Sequence, residues 1–140
     1  MFVVLDTNHF RELTEDSAIG RNLARRIDEN GADVFTCIVA LEETLQGWFA
    51  LLKHRKTGRD QLEVYARLQR DVEALGKLVI LPFDEQAATV FHQLQPDHRR
   101  TGTMDLKIAA ICIAHDATLL TRNLRDFGGV NGLKAANWLD

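Results

Sequence analysis

Short apolar runs alternate with longer stretches of helical periodicity along the whole chain, and this alternation restricts the fold more than any other feature. Phe2-Val3-Val4-Leu5, Leu78-Val79-Ile80-Leu81 and Thr118-Leu119-Leu120-Thr121 have the length and composition of buried strands. Asp33-Val34-Phe35-Thr36 reads as a further short strand, and Lys134 to Trp138 as a last one. Between them, His9 to Asn30 alternates polar and apolar positions without a clean stripe, and Leu23, Ile27 and the Arg25-Arg26 pair fit an exposed helix that stops at Asn30-Gly31. From Ile38 onward, Ile38, Leu41, Leu45, Trp48, Phe49 and Leu52 fall on one helical face. Leu62, Tyr65, Leu68, Val72 and Leu75 continue at helical spacing, and Gly76 closes that helix. Asp84-Glu85 starts another, where its dipole favours acids. Met104 to Ala114 is apolar almost all round and is expected at the core. Strands alternating with helices, without a linker or repeat, predict a single α/β domain over residues 1–140 with a mainly parallel sheet.

No stretch approaches the ~20 apolar residues of a membrane span, and the short N-terminal apolar run followed by Asp6 does not read as a secretory signal. Cys37 and Cys112 lie far apart among apolar residues and read as reduced core thiols, which gives a cytoplasmic address. A net charge of −3 argues against wholesale coating of nucleic acid. It leaves room for an enzyme that handles nucleic acid at an acidic, metal-filled site. There is no Gly-rich phosphate loop, serine nucleophile elbow or CxxC. His9, His54, His92, His98 and His115 are scattered and read as surface or packing residues rather than zinc ligands. Lys53 to Arg59 is a basic, glycine-broken connection, a solvated turn before it is a phosphate contact.

The acids are better organised. Asp6 ends the first strand, and Asn123 and Asp126 follow the fourth. In a parallel sheet these loops share the carboxyl edge, where ligands bind. Asp105 opens the buried helix that leads into strand four, so that helix returns its N-terminus to the same edge. Glu42 or Glu43 sits about two turns into the helix after strand two and leans toward the same cleft. Each acid also has a plain structural reading: Asp6 as a turn former or helix N-cap, Asp105 as a dipole partner in a helix capped by Thr101 or Thr103, Asn123 and Asp126 as turn residues. Together they form an oxygen-rich cluster whose mutual repulsion a divalent cation would relieve.

Leu5-Asp6-Thr7-Asn8, Ile38-Val39-Ala40-Leu41-Glu42-Glu43 with Gly47 four residues on, Met104-Asp105-Leu106-Lys107-Ile108-Ala109-Ala110, and Leu120-Thr121-Arg122-Asn123-Leu124-Arg125-Asp126-Phe127 resemble the PIN domain, and within it the VapC-type toxins of bacterial toxin–antitoxin pairs. The motifs follow the family's order over nearly the whole chain. The resemblance implies a three-layer α/β/α fold and a Mg²⁺- or Mn²⁺-dependent endoribonuclease. By position it makes Asp6, Glu43 and Asp105 the core acidic ligands, and the spacing to Gly47 favours Glu43 over Glu42. Many relatives carry Asp where this chain has Asn123, which brings a carbonyl oxygen but no charge; Asp126 is placed to supply the missing acid. The resemblance also implies a homodimer and a cognate antitoxin that blocks the acidic groove.

On this reading a water activated by the metal attacks an RNA phosphodiester in line. Thr7, Asn8 and Thr121 would orient the carboxylates, and Arg122 would contact a phosphate or else form a surface ion pair. If Glu43 is the ligand, the apolar stripe of its helix packs elsewhere, for example at a dimer contact including Trp48. The rival reading is a non-catalytic module that keeps the fold and contacts an antitoxin or nucleic acid, with Asn123 as its best argument. Aspartyl-nucleophile phosphatases want a second Asp two residues after the first, where Asn8 stands, and receiver domains want adjacent N-terminal acids, also absent.

Overall fold

Val3 and Leu5 turn to one side of the first strand and Val4 to the other, and all three are completely buried, so this strand must be covered on both faces. The computed structural model, which describes residues 1–140, builds the covers from helices. In chain order the elements are β1 (Phe2–Leu5), α1 (Thr7–Thr14), α2 (Ala18–Glu29), β2 (Asp33–Cys37), α3 (Ile38–His54), α4 (Leu62–Leu75), β3 (Val79–Leu81), α5 (Glu85–Leu94), a 3₁₀ turn (Gln95–Asp97), α6 (Thr103–Ala114), β4 (Thr118–Leu120), α7 (Leu124–Phe127) and β5 (Lys134–Ala136). The five strands form one sheet in the order β3-β2-β1-β4-β5, every pair parallel. At its centre Val4 is flanked by Phe35 on β2 and Leu119 on β4.

Two cores lie on opposite faces of that sheet. Val4 and Leu119 pack with Val39 and Ala40 of α3, Phe91 of α5, Ile108 and Ile111 of α6 and Phe127 of α7. Val3, Leu5 and Leu120 pack with Phe10 of α1, Leu23 of α2, Leu75 of α4 and Trp138. This is the expected three-layer α/β/α arrangement. The helix α6 buries Leu106, Ile108, Ala109, Ala110, Ile111 and Cys112, as its all-round apolar character requires. No helix is long and apolar enough to cross a membrane.

Some elements sharpen what the periodicity predicts and others correct it. The stretch from His9 to Asn30 is two helices, because Ser17 caps α2 by accepting a hydrogen bond from the Gly20 N–H at 3.0 Å, and Gly20 lies against the end of α1. A Cβ at Gly20 would stand 2.0 Å from the Glu12 carbonyl oxygen, so only glycine permits this crossing. In α3 the buried positions are Val39, Ala40, Thr44 and Trp48, while Ile38 and Phe49 of the apolar stripe are exposed. Small Ala40 lets the helix approach its neighbours, and Thr44 can be buried because its hydroxyl donates to the Ala40 carbonyl at 3.1 Å. Trp48 is inside the chain, donating Nε1–H to the buried Asp71 carboxylate at 2.8 Å, and is not free for a dimer contact. Finally β5 stops at Ala136, since the Trp138 N–H turns away to His9.

Candidate functional site

Asp6 follows β1 directly and is the N-cap of α1: its Oδ1 accepts the His9 backbone N–H at 2.9 Å. The same oxygen lies 3.1 Å from His9 Nδ1. His9 Nε2 accepts the Trp138 backbone N–H at 3.2 Å, so the proton of a neutral imidazole sits on Nδ1 and is donated to Asp6. Capping and acid chemistry therefore coexist in Asp6, because Oδ2 makes no bond with the protein. His9 is completely buried and does more than pack. Its signal in the sequence was only its place three residues after an N-capping Asp.

Glu43 comes from the second turn of α3 and Asp105 from the first turn of α6, and both are partly buried. Neither Thr101 nor Thr103 caps α6; the cap is Gly102, without a side-chain hydrogen bond. The Glu43 carboxyl is held above its ordinary value of 4.5 by burial first, then by the negative charges of Asp105, Asp6 and Glu42. Asp105 is likewise raised from 3.8 by burial, then by Asp126 and Asp6. Asp6, Glu43, Asp105 and Asp126 thus share one electrostatic neighbourhood at the carboxyl edge, between the central strands β1 and β4, where the chain's direction of progress across the sheet reverses. Glu42 is exposed, accepts a bond from Gln46 at 3.4 Å and borders the outer apolar groove of α3. It is Glu43 whose carboxyl feels the charges of Asp105 and Asp6.

After β4, the Thr121 hydroxyl accepts the Asn123 N–H at 3.0 Å and bends the chain. The Asn123 amide donates to Asp126 Oδ2 at 2.9 Å, which turns its nitrogen to the acid and leaves its oxygen free. Thr7 lies in the first turn of α1 beside Glu43, at the edge of a cavity they both line. Asn8 is exposed and makes no side-chain hydrogen bond. Arg122 reaches the Asp140 carboxylate at 3.4 Å. The basic connection after α3 is exposed throughout, in keeping with a solvated turn.

No three His, Cys, Asp or Glu side chains are grouped so as to hold a metal ion as they stand. The donor set nevertheless suits a hard divalent ion: its donors are oxygens, and Glu43 and Asp105 have neither a hydrogen-bond partner nor a cation to balance them. Mg²⁺ commonly binds through one or two carboxylates and keeps waters toward the rest, which spaced acids accommodate. Cys37 and Cys112 are buried thiols, Cys37 pushed up to about 11 by its burial, and take no part in this cluster.

The model of the PIN domain family matches residues 3–132. No curated protein sequence matches the chain significantly. Among solved structures it is similar to VapBC2 from Rickettsia felis bound to a DNA fragment from their promoter, with a TM-score of 0.73, 22% identity and 99% of each chain covered. It is also similar to VapBC-1 from nontypeable Haemophilus influenzae, with a TM-score of 0.77, 18% identity and 100% of each chain covered. A toxin–antitoxin complex from Klebsiella pneumoniae gives a TM-score of 0.68 at 19% identity over 97% of each chain. These likenesses concern the fold. The family match spans both central strands and every acid of the cluster, and the chain belongs to the PIN domain family.

Proposed function

We propose that this chain is a VapC-type toxin, a Mg²⁺- or Mn²⁺-dependent endoribonuclease of the cytoplasm that a cognate antitoxin neutralises. One observation carries the reading: Glu43 and Asp105, partly buried and without hydrogen-bond partners, are held above their ordinary protonation range by burial and by the neighbouring acids. A fold keeps such a cluster at a cost in stability, which a bound cation would offset. The structures of VapBC2 and VapBC-1 and the Klebsiella toxin–antitoxin complex, similar over nearly their whole length, support the antitoxin as partner.

Asp6, Glu43 and Asp105 would hold the ion, with Asn123 or Asp126 as a fourth group. When bound, Mg²⁺ or Mn²⁺ supplies an activated water and balances charge on the phosphoryl oxygens. Asp6 is kept from rotating by His9 and by its own cap, so Oδ2 is presented in one place. Asn123 would hold Asp126 through the hydrogen bond that its side-chain amide donates, and Thr121 shapes the loop that carries both. Thr7 and Asn8, at the start of α1, would help orient the carboxylates. Arg122 would exchange its exposed pairing with Asp140 for a substrate phosphate, which a guanidinium grips bidentately. A homodimer would use the face of α3 bearing Ile38, Leu45 and Phe49, an apolar surface otherwise left in water.

Purified protein free of antitoxin, incubated with tRNA and rRNA in Mg²⁺, Mn²⁺, no metal or EDTA, tests the reading. Metal-dependent fragments that vanish in Asp6→Asn and Asp105→Asn are expected; cleavage that survives both substitutions would overturn it. A second reading, a binding module without chemistry, is favoured by the uncharged Asn123 and by the lack of side chains grouped to hold a metal ion as they stand. Thermal melting separates the two, since a module should gain little from Mn²⁺.

A further inference from the structure

A cavity of about 270 Å³ opens beside Glu43 and Thr7, next to the acidic cluster. Its size falls a little short of the roughly 300–1,000 Å³ of small-molecule pockets, which suits one nucleoside rather than a larger ligand. Gly47, one turn beyond Glu43 on the same side of α3, lines it, and a Cβ placed there meets nothing within 4 Å. Part of the space therefore exists because residue 47 has no side chain.

The cavity's walls are chemically specific. The Arg67 guanidinium lies over the Trp48 ring, 5.1 Å from its centre, and 3.6 Å from Glu15 Oε1. Trp48 in turn donates to Asp71 Oδ2 at 2.8 Å. Asp71 is 6% exposed, and its Oδ1 makes no hydrogen bond but lies 3.7 Å from Arg70 Nε in a loose ion pair. Asp71 lines the cavity, and since no fully enclosed side-chain nitrogen or oxygen lacks a hydrogen-bond partner, its Oδ1 keeps some access to solvent. Arg11, on the exposed side of α1, also lines the cavity and forms no ion pair.

We propose that this cavity is the subsite for one unpaired nucleoside of the RNA beside the scissile phosphate, and that it prefers guanine. The proposal rests on the ribonuclease reading. Bases of single-stranded RNA stack on aromatic rings and on guanidinium planes, and are read along their Watson–Crick edges. The Arg67–Trp48 platform offers the stacking surface. A carboxylate oxygen only accepts, so Asp71 selects an edge rich in N–H donors. Guanine presents an imino and an amino donor side by side on that edge, whereas each other base presents only one such group. Arg11, which forms no ion pair, supplies positive charge that lets a polyanion approach an otherwise acidic cleft.

The test is the binding of labelled oligouridylates carrying a single guanosine, adenosine or cytidine, measured by fluorescence anisotropy in EDTA so that nothing is cleaved. The guanosine oligonucleotide is expected to bind about tenfold more tightly than oligouridylate alone, a difference within what one stacked base contributes. Gly47→Met fills the cavity and Asp71→Asn replaces the second carboxylate oxygen by an amide nitrogen while keeping the Trp48 bond; both should abolish the preference. Gly47→Met is expected to melt no lower than the parent because a helical glycine is removed. Arg11→Ala, an exposed change, should weaken all the oligonucleotides alike. Equal binding of every base, or a preference that survives both cavity variants, would overturn the subsite. So would binding of N-acetylarginine amide without guanosine preference, which would make the cavity a socket for a peptide. Failure of the ribonuclease reading looks different: guanosine preference in EDTA persists, but adding Mn²⁺ produces no cleavage.

Discussion

His9 holds Asp6 from within the core: its Nδ1 lies 3.1 Å from Asp6 Oδ1, while its Nε2 takes the Trp138 backbone N–H at 3.2 Å. One completely buried imidazole therefore joins the first helix to the segment after the last strand and sets the angle of an acidic side chain. Replacing it by alanine removes a large buried ring and leaves the Trp138 N–H without a partner. His9→Ala should cost about 2–4 kcal/mol in urea denaturation. A loss below about 0.5 kcal/mol, the level of an ordinary surface substitution, would show that the link is not structural.

Asp6 has two roles that substitution can separate. Asparagine caps a helix about as well as aspartate, so Asp6→Asn should stay within about 0.5 kcal/mol of the parent while losing RNA cleavage. Asp6→Ala should lose the activity and about 1 kcal/mol or more of stability as well. Melting curves and a cleavage assay on the same preparations decide this. Retained activity in Asp6→Asn would exclude the carboxylate from the chemistry.

The acidic cluster predicts an inverted pH dependence without metal. Glu43 and Asp105 bind their protons more tightly in the folded state than their ordinary values of 4.5 and 3.8. Where the folded state holds more protons, stability falls as pH rises. Their contribution is therefore full below those values and is lost as pH climbs through the raised folded ones. In EDTA, Glu43→Gln and Asp105→Asn should melt higher than the parent at pH 7, with the gain shrinking toward pH 4. In Mn²⁺ the proposed function reverses the order, because each variant would lose one of the groups proposed to hold the ion.

Gly20→Ala should be among the most harmful single-methyl additions in the chain. The new Cβ would stand 2.0 Å from the Glu12 carbonyl oxygen and 2.8 Å from that of Glu15, both backbone atoms. Helix propensity would gain up to about 1 kcal/mol, but separating α1 from α2 should cost about 1–3 kcal/mol or more. Net destabilisation in chemical denaturation is the expected result. A stabilised variant would mean that the two helices separate easily.

Cys37 and Cys112 should be silent in the folded protein. Burial pushes the Cys37 thiol to about 11 and raises Cys112 as well. At pH 8 the thiolate fraction of Cys37 is on the order of one in a thousand, before any barrier of access. A disulfide-exchange reagent should label neither thiol in native buffer and both after unfolding. Rapid native labelling would contradict the packing around α6.

Much of the site was legible because its acids are tied to local signals. An Asp directly after an apolar strand, and another in the first turn of an all-apolar helix, are placed by connectivity alone once the sheet is parallel. The choice of Glu43 over Glu42 was less accessible: neighbouring residues on a helix differ by about 100°, and the apolar stripe of α3 would have put Glu42 nearer the core. Burial instead follows Ala40, Thr44 and Trp48, because Ala40 is small and the polar atoms of Thr44 and Trp48 are satisfied. Likewise, nothing local in Asn123-Leu124-Arg125-Asp126 announces that the amide will grip the acid at 2.9 Å.

The sequence alone determined the order of strands and helices, the two-sided burial of β1 and the gathering of Asp6, Asp105 and Asp126 at one sheet edge. These follow from the alternation of apolar residues and from short connections, which act along a few neighbouring residues. The tertiary structure decided that α1 and α2 break apart at the Gly20 crossing, that the Glu43 carboxyl feels the charges of Asp105 and Asp6, and that His9 reaches across 129 residues to Trp138. The physical reason is common to all three. Each depends on how closely two distant segments approach and on which polar atom finds a partner there, and neither quantity is written in the periodicity of either segment.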